Sequence, residues 1–258
     1  MAISLASIAR TKHSKPPRMI VHGAEKVGKS TFFSQAPGVV FVQTEDGLTG
    51  LDVQAFPLAE TMEDVCEAIQ ALIETDHEYQ TVVIDSADWL ERLIHDKVCR
   101  DHGVKSIELA AGGYGKGYGE ALVYWRLILS MLDKLCADKG MFIGMICHSR
   151  IVTVSDPETE PYDSYKLKLH EPKSGNQGAL SLLTEWADVI GFATRKVFVR
   201  KSEVDEKKHR AVSGGDRELR LEGSPAYLAG NRYGLAPSVP LSWEAFSAAL
   251  SASYSQAA

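Results

Sequence analysis

Eight consecutive residues, Gly23-Ala24-Glu25-Lys26-Val27-Gly28-Lys29-Ser30, followed by Thr31, fit the spacing G-x-x-x-x-G-K-[ST]. That spacing suits the cradling of phosphates. Backbone N–H groups must turn inward around an anion, and Gly23 and Gly28 are read as the positions that adopt positive φ without a Cβ penalty. Lys29 offers a point charge to β- and γ-phosphates, Ser30 offers a hydroxyl to Mg²⁺, and a helix starting at Lys29 adds the partial positive charge of its N-terminus. The alternative is a glycine turn that only packs a helix on a sheet.

Thr81-Val82-Val83-Ile84-Asp85 supplies the expected partner, a buried strand that delivers one carboxylate to its C-terminal edge for Mg²⁺. Ser86 either assists it or caps the next helix. Hydrolysis further needs a group that orients or polarises water. Glu45 is the first candidate, with Asp46 as the alternative base and loop capping as the plainer role for either. His148, Ser149 and Arg150 end a fourth apolar strand in the same crevice, where one of them can sense a γ-phosphate.

These groups need a scaffold, and the hydrophobic pattern provides one. Strand Met19 to His22 leads into the loop Gly23 to Gly28 and a helix from about Lys29 to Gln35; Val39 to Gln43 is a second strand. A helix from about Thr61, its N-cap, runs to Glu74, and the Asp85 strand is followed by a helix with the stripe Leu90, Leu93, Ile94, Val98. A glycine-rich loop, Gly112 to Gly119, precedes a helix from Glu120 to Ala137, and the fourth strand is Met141 to Cys147. Ile151 to Val154 and Ser164 to Leu169 suggest a hairpin around Asp156-Pro157. A short helix (Ala179 to Trp186), a strand (Asp188 to Ala193), β-like pieces and a last helix (Trp243 to Leu250) complete the chain. Alternating strands and helices imply an α/β fold with a mostly parallel central sheet flanked by helices and C-terminal β-hairpin additions. The expected organisation is a flexible lead over 1–17, one core over 18–250 with a basic β-rich arm at about 195–222, and a frayed tail over 251–258.

Composition narrows the function classes. The 258 residues are 45% hydrophobic and 24% charged, enough for an ordinary core. No run approaches the ~18 apolar residues of a membrane span. The N-terminal MAISLASIARTKHSKPPR places its apolar stretch before its basic residues, the reverse of a secretory leader. Cys66, Cys99, Cys136 and Cys147 stand singly without metal-ligand spacing, so a reducing, cytoplasmic interior is expected. The formal charge is −6, yet Arg195 to Arg220 holds nine Lys/Arg against five Asp/Glu. Such an arm suits either nucleic acid or a solvated hairpin.

Together, the loop GAEKVGKST with its acidic third position, QTEDG, VVIDS and ICHSR resemble the RecA-like ATPases. EKVGKST, EDGL, GKGY and the late NRYGL are similar to short phage RecA-like ATPases of single-strand annealing and recombination, over roughly residues 18 to 235. The resemblance implies a phosphate-loop NTPase fold, ATP and Mg²⁺ as ligands, ATP hydrolysis, single-stranded DNA binding with annealing or pairing, assembly into a filament or ring, and a bacterial host cytoplasm. A single-strand DNA-binding protein is a further expected partner. NRYGL also resembles the K-x-R-x-G element that reaches a neighbour's ATP in hexameric relatives; Gly230 stands at its Lys position, so only Arg232 carries over, with a salt bridge to the sheet as its other reading. For DNA, the loop Gly112 to Gly119 offers Tyr114 and Tyr118 for base stacking and Lys116 for phosphate, unless it is merely a glycine linker. The second candidate is Lys166 to Gln177, with Lys166, Lys168, Lys173 and Asn176. The competing function is a nucleotide-gated DNA-binding or loader-like switch with little turnover.

Overall fold

The computed structural model describes residues 15–172, 178–201 and 209–256. Lys173, Asn176 and the lead up to residue 14 lie outside these, as does part of the basic arm. The chain begins β1 (Arg18–Gly23), α1 (Lys29–Ser34), β2 (Val39–Gln43), β3 (Gln54–Ala55), α2 (Met62–Glu74) and β4 (Thr81–Asp85). It continues through α3 (Ala87–His102), α4 (Lys116–Asp138), β5 (Phe142–Val154), β6 (Tyr162–Leu167) and α5 (Ala179–Trp186). It closes with β7 (Val189–Lys201), β8 (His209–Arg220), β9 (Gly230–Asn231), β10 (Ser238–Pro240) and α6 (Trp243–Gln256).

The strands lie in the order β10-β8-β7-β1-β5-β4-β2-β3. From β3 to β7 every neighbouring pair is parallel, while β8 and β10 add antiparallel partners at one edge. The sheet is thus mixed and mostly parallel, and the α/β class is as expected. Side chains alternate across each strand, so β1 divides the core. Ile20 joins Val82, Ile84 and Ile143 beneath α2, α3, α4 and α5. Met19 and Val21 face Phe32 and Phe33 of α1 and Phe246 of α6. No helix among the described residues is long and apolar enough to cross a membrane.

Local chemistry sets several element ends. Thr61 caps α2 through a reciprocal box: Asp64 N–H donates to Thr61 Oγ1 (3.2 Å) and Thr61 N–H to Asp64 Oδ2 (2.8 Å), a device worth about 1 kcal/mol. Ser86 precedes α3, but its hydroxyl makes no capping bond.

Four expectations need correction. The glycine-rich segment is not a loop through Gly119: α4 starts at Lys116, so Lys116 and Tyr118 are helical. Gly115, with φ 72°, makes the turn into the helix, and a Cβ at Gly117 would lie 2.4 Å from the Ile107 carbonyl oxygen. Its glycines therefore serve a turn and a close backbone contact. Lys166 is likewise no loop residue, since it pairs with Arg150 across the β5–β6 hairpin. The strand expected to end at Ala193 runs on to Lys201, extended by its pairing with β8. Residues 251–256 are helical rather than frayed, because α6 packs the Tyr254 ring edge-on to Tyr233 at 5.8 Å.

Candidate active site

β1 carries the phosphate loop to the sheet's C-terminal edge, and β4 and β5 bring Asp85 and His148 to the same edge. Gly28 does take a left-handed φ of 108° and caps α1. Gly23 does not have positive φ; it is required for a different reason, since a Cβ there would lie 2.4 Å from the Ala193 carbonyl oxygen on β7.

Lys29 is 6% exposed, and its ammonium donates to the carbonyls of Gly23 (3.1 Å) and Ala24 (2.9 Å). Burial pushes its pKa down. Two of its three protons are so engaged, leaving one directed elsewhere. Ser30 donates its hydroxyl proton to Asp85 Oδ2 at 2.8 Å. Burial lifts the Asp85 carboxyl to about 6, against the opposing Ser30 bond. Among the described residues no three His, Cys, Asp or Glu side chains converge as a metal cage. Ser30 and Asp85 fit Mg²⁺, a hard cation that takes oxygen ligands and is commonly bound through one or two carboxylates together with substrate phosphates.

The Asp85 carbonyl also fixes the opposite wall, accepting from Thr44 N–H (2.8 Å) and Glu45 N–H (3.3 Å). Glu45 Oε1 stands 4.0 Å from His148 Nε2. His148 Nδ1 is held by Asp88 at 3.0 Å, and Asp88 Oδ1 also accepts from the His148 backbone N–H. The side-chain bond to Asp88 raises the imidazole pKa. Lys29, Ser30, Glu45, Asp85 and His148 line one cavity of about 480 Å³. Asp46 and Thr31 line it too.

The sequence reading missed Arg217. This β8 side chain lines the same cavity, donates from Nη1 to the Val27 carbonyl (3.1 Å), and lies where a Gly28 Cβ would meet it at 2.4 Å. It sits within the basic arm, whose charge alone does not reveal that one of its arginines reaches the phosphate loop. Other expected residues are elsewhere. Arg232 pairs with Asp188 (3.0 Å) and the Glu185 carbonyl (2.7 Å), next to Arg18 at the start of β1, the sheet edge opposite the phosphate loop. The salt-bridge reading describes it within this chain, where it cannot reach its own Lys29. Tyr118 stacks on His170 (3.7 Å between centroids) and donates to Glu108 (2.8 Å), while Tyr114 is 99% exposed. Lys168 follows β6, its N–H bonded to the His148 carbonyl.

Buried His22, just before the loop, has Nε2 2.7 Å from the Leu228 carbonyl and Nδ1 2.8 Å from Ser149 Oγ. A carbonyl only accepts, so Nε2 carries the proton and Ser149 donates to Nδ1. Burial keeps this ring neutral, its pKa lowered to about 4.

A family model described as an AAA domain matches residues 15–233, from before β1 to beyond β9. The chain belongs to the AAA domain family. The span includes every group that lines the cavity, so this AAA domain is of the phosphate-loop NTPase type, a class that binds nucleotide with Mg²⁺. A comparison with curated proteins returned no match.

Proposed function

We propose that this AAA domain is an ATPase of the RecA-like branch that binds single-stranded DNA and promotes annealing or homologous recombination, as in a phage-encoded protein. The observation that carries the ATPase reading is the convergence of Lys29, the Ser30–Asp85 pair and the Glu45–His148 pair on one cavity. Residues 23–31 hold the triphosphate, with Lys29 on the β/γ oxygens. Ser30 and Asp85 would hold Mg²⁺, which would supply neutralisation of the charge that develops on the phosphates. Glu45 accepts the proton of the attacking water, and its 4.0 Å approach to His148 lets the imidazole register whether that carboxylate is charged. Arg217 supplies a cation in cis, beside the loop, for the charge of the transition state.

DNA binding and assembly rest on the likeness of the motifs to phage RecA-like proteins and on the exposed Tyr114 and the basic residues near the sheet's C-terminal edge. Assembly into a filament or ring assigns Arg232, 57% exposed on its side chain at the far edge, to contact with a neighbouring copy. ATP turnover with and without single-stranded DNA tests the whole reading. Stimulation by the strand supports it; tight ATP binding with negligible turnover in both conditions supports instead a nucleotide-gated switch.

A further inference from the structure

A second cleft, of about 400 Å³, touches the phosphate loop at Glu25 and is walled by Tyr165, Phe192, Tyr227, Arg195 and Arg220. Three rings stack there. Tyr165 lies on Phe192 at 5.3 Å and 27°, and Phe192 on Tyr227 at 5.0 Å and 14°. Phe192 is buried in the middle, whereas Tyr165 is 42% exposed. The backbone fixes the column: Tyr165 N–H donates to the Ala226 carbonyl and Leu228 N–H to the Tyr165 carbonyl, both at 2.9 Å. Tyr227 is thereby attached to β6 and held beside β7.

The cations are distributed around this column. Arg220 lies 4.7 Å over the Tyr227 ring while its Nε bonds Glu218. Arg195 is exposed, and its cross-strand partner in register is Arg217. Like charges directly opposite on antiparallel strands repel, and an anion relieves that repulsion. Tyr227 also lines an adjoining hollow of about 380 Å³ with Tyr162 and Lys166. Aromatic faces and cations thus continue through two neighbouring hollows, more than one mononucleotide occupies, and the triphosphate has its own cavity on Lys29. Stacking faces with interleaved cations suit a strand of any sequence, because every base has a π-face.

We propose that the exposed ring of Tyr165, at one end of the Tyr165–Phe192–Tyr227 column, is a base-stacking site for single-stranded DNA, with Arg195 on an adjoining phosphate. It deepens the proposed function and rests on the strand binding stated there. A base seated in this cleft lies against the outer side of the phosphate loop at Glu25, and the loop bearing Tyr227 is tied at Leu228 to His22 of β1. Strand and nucleotide therefore share one short stretch of backbone.

The test measures anisotropy of a fluorescent mixed-sequence oligonucleotide with full-length protein, a non-hydrolysable ATP analogue and Mg²⁺, at several salt concentrations. Binding of a fluorescent ATP analogue is read in parallel as a check on the fold. Tyr165→Ala is expected to weaken strand binding roughly 5- to 150-fold, the range for loss of one stacked base, with nucleotide affinity unchanged. Arg195→Ala is expected to flatten the slope of log affinity against log salt by about 0.7. Parent-like strand binding by both variants overturns the inference and leaves the DNA-binding reading intact. Tyr165→Ala losing nucleotide affinity while keeping the strand also overturns it, since the cleft then serves the nucleotide. If the parent protein binds no strand in any nucleotide state, the DNA-binding reading falls and takes the inference with it.

Discussion

The hydroxyl of Ser30 and the carboxylate of Asp85 meet at 2.8 Å across 55 residues of sequence. This bond joins the first turn of α1 to the end of β4 and sets the spacing between the hydroxyl and the carboxylate that the proposed function assigns to one cation. Because β5 lies between β1 and β4 in the sheet, the two groups meet above the intervening strand.

Lys29→Ala removes the charge meant for the β- and γ-phosphates, and ATP binding should fall below detection in calorimetry. Glu45→Gln keeps the shape and removes the base, so binding should persist while kcat falls by roughly 10²-fold or more. Turnover at the parent rate in Glu45→Gln would move the base to Asp46 or His148.

Asp85 gives a pH dependence. Its folded pKa of about 6 lies above its ordinary 3.8. The raised value favours the folded state fully below about 4, and that contribution is lost as pH rises through about 6. Mg²⁺ needs the charged form, so the Mg²⁺-dependent gain in nucleotide affinity should fall as pH drops through about 6, with a midpoint that moves lower as Mg²⁺ rises. Asp85→Asn should abolish that gain at every pH; a pH-independent gain in the parent protein would remove Asp85 from the cation site.

Arg217→Ala should lower kcat by roughly 10²-fold, the scale of one lost transition-state donor, with a smaller effect on ATP affinity. Lys at 217 should restore little, because a point charge cannot reproduce a planar fork that bonds both Val27 and a phosphate. Steady-state kinetics on the three proteins decide this, and parent-like kcat in Arg217→Ala would exclude the role.

Tyr118 and Tyr114 should separate in thermal unfolding. Tyr118→Ala loses the stack on His170 and the bond to Glu108, a loss of about 2 kcal/mol. Tyr114→Ala should change stability by less than about 0.5 kcal/mol. Equal melting temperatures for the two variants would contradict the structural role given to Tyr118.

Asp188 collects Arg18 Nε and Nη2 at 2.9 Å each and Arg232 at 3.0 Å. Asp188→Ala leaves the half-buried Arg18 with Asp133 as its remaining carboxylate and should destabilise by about 2 kcal/mol in denaturant titration, less than a fully buried pair because the site is partly solvated. Arg232→Ala should lose under about 1 kcal/mol. If Arg232 also acts on a neighbour's ATP, its variant alone should show turnover that no longer rises with protein concentration.

The parallel core was legible because its strands are apolar runs ended by chemistry-bearing residues. The strand Val39–Gln43 falls within its expected bounds for that reason, and the helix Ala179–Trp186 also keeps its expected bounds. Thr61 and Asp64 announced their helix through a pairing local in sequence. What the sequence hid was long-range. Glycines around Lys116 read as a loop, yet Gly117 is glycine because α4 runs against Ile107, a contact no local pattern encodes. Arg217 looked like one charge among many, since its approach to Val27 depends on the register of β8 on β7. Gly23 was expected to need positive φ, while the actual demand is the nearness of Ala193.

β5 has two characters along one uninterrupted strand. Its residues up to Cys147 and His148 are core and cavity wall, and those from Ser149 to Val154 form one side of an outlying hairpin. No break interrupts the strand between the two halves, so the cavity wall at His148 and the hairpin side from Ser149 to Val154 are one run of backbone. At ~3.3 Å per residue the stretch beyond His148 reaches roughly 20 Å from the cavity, with Lys166 and Tyr165 on the strand paired along it.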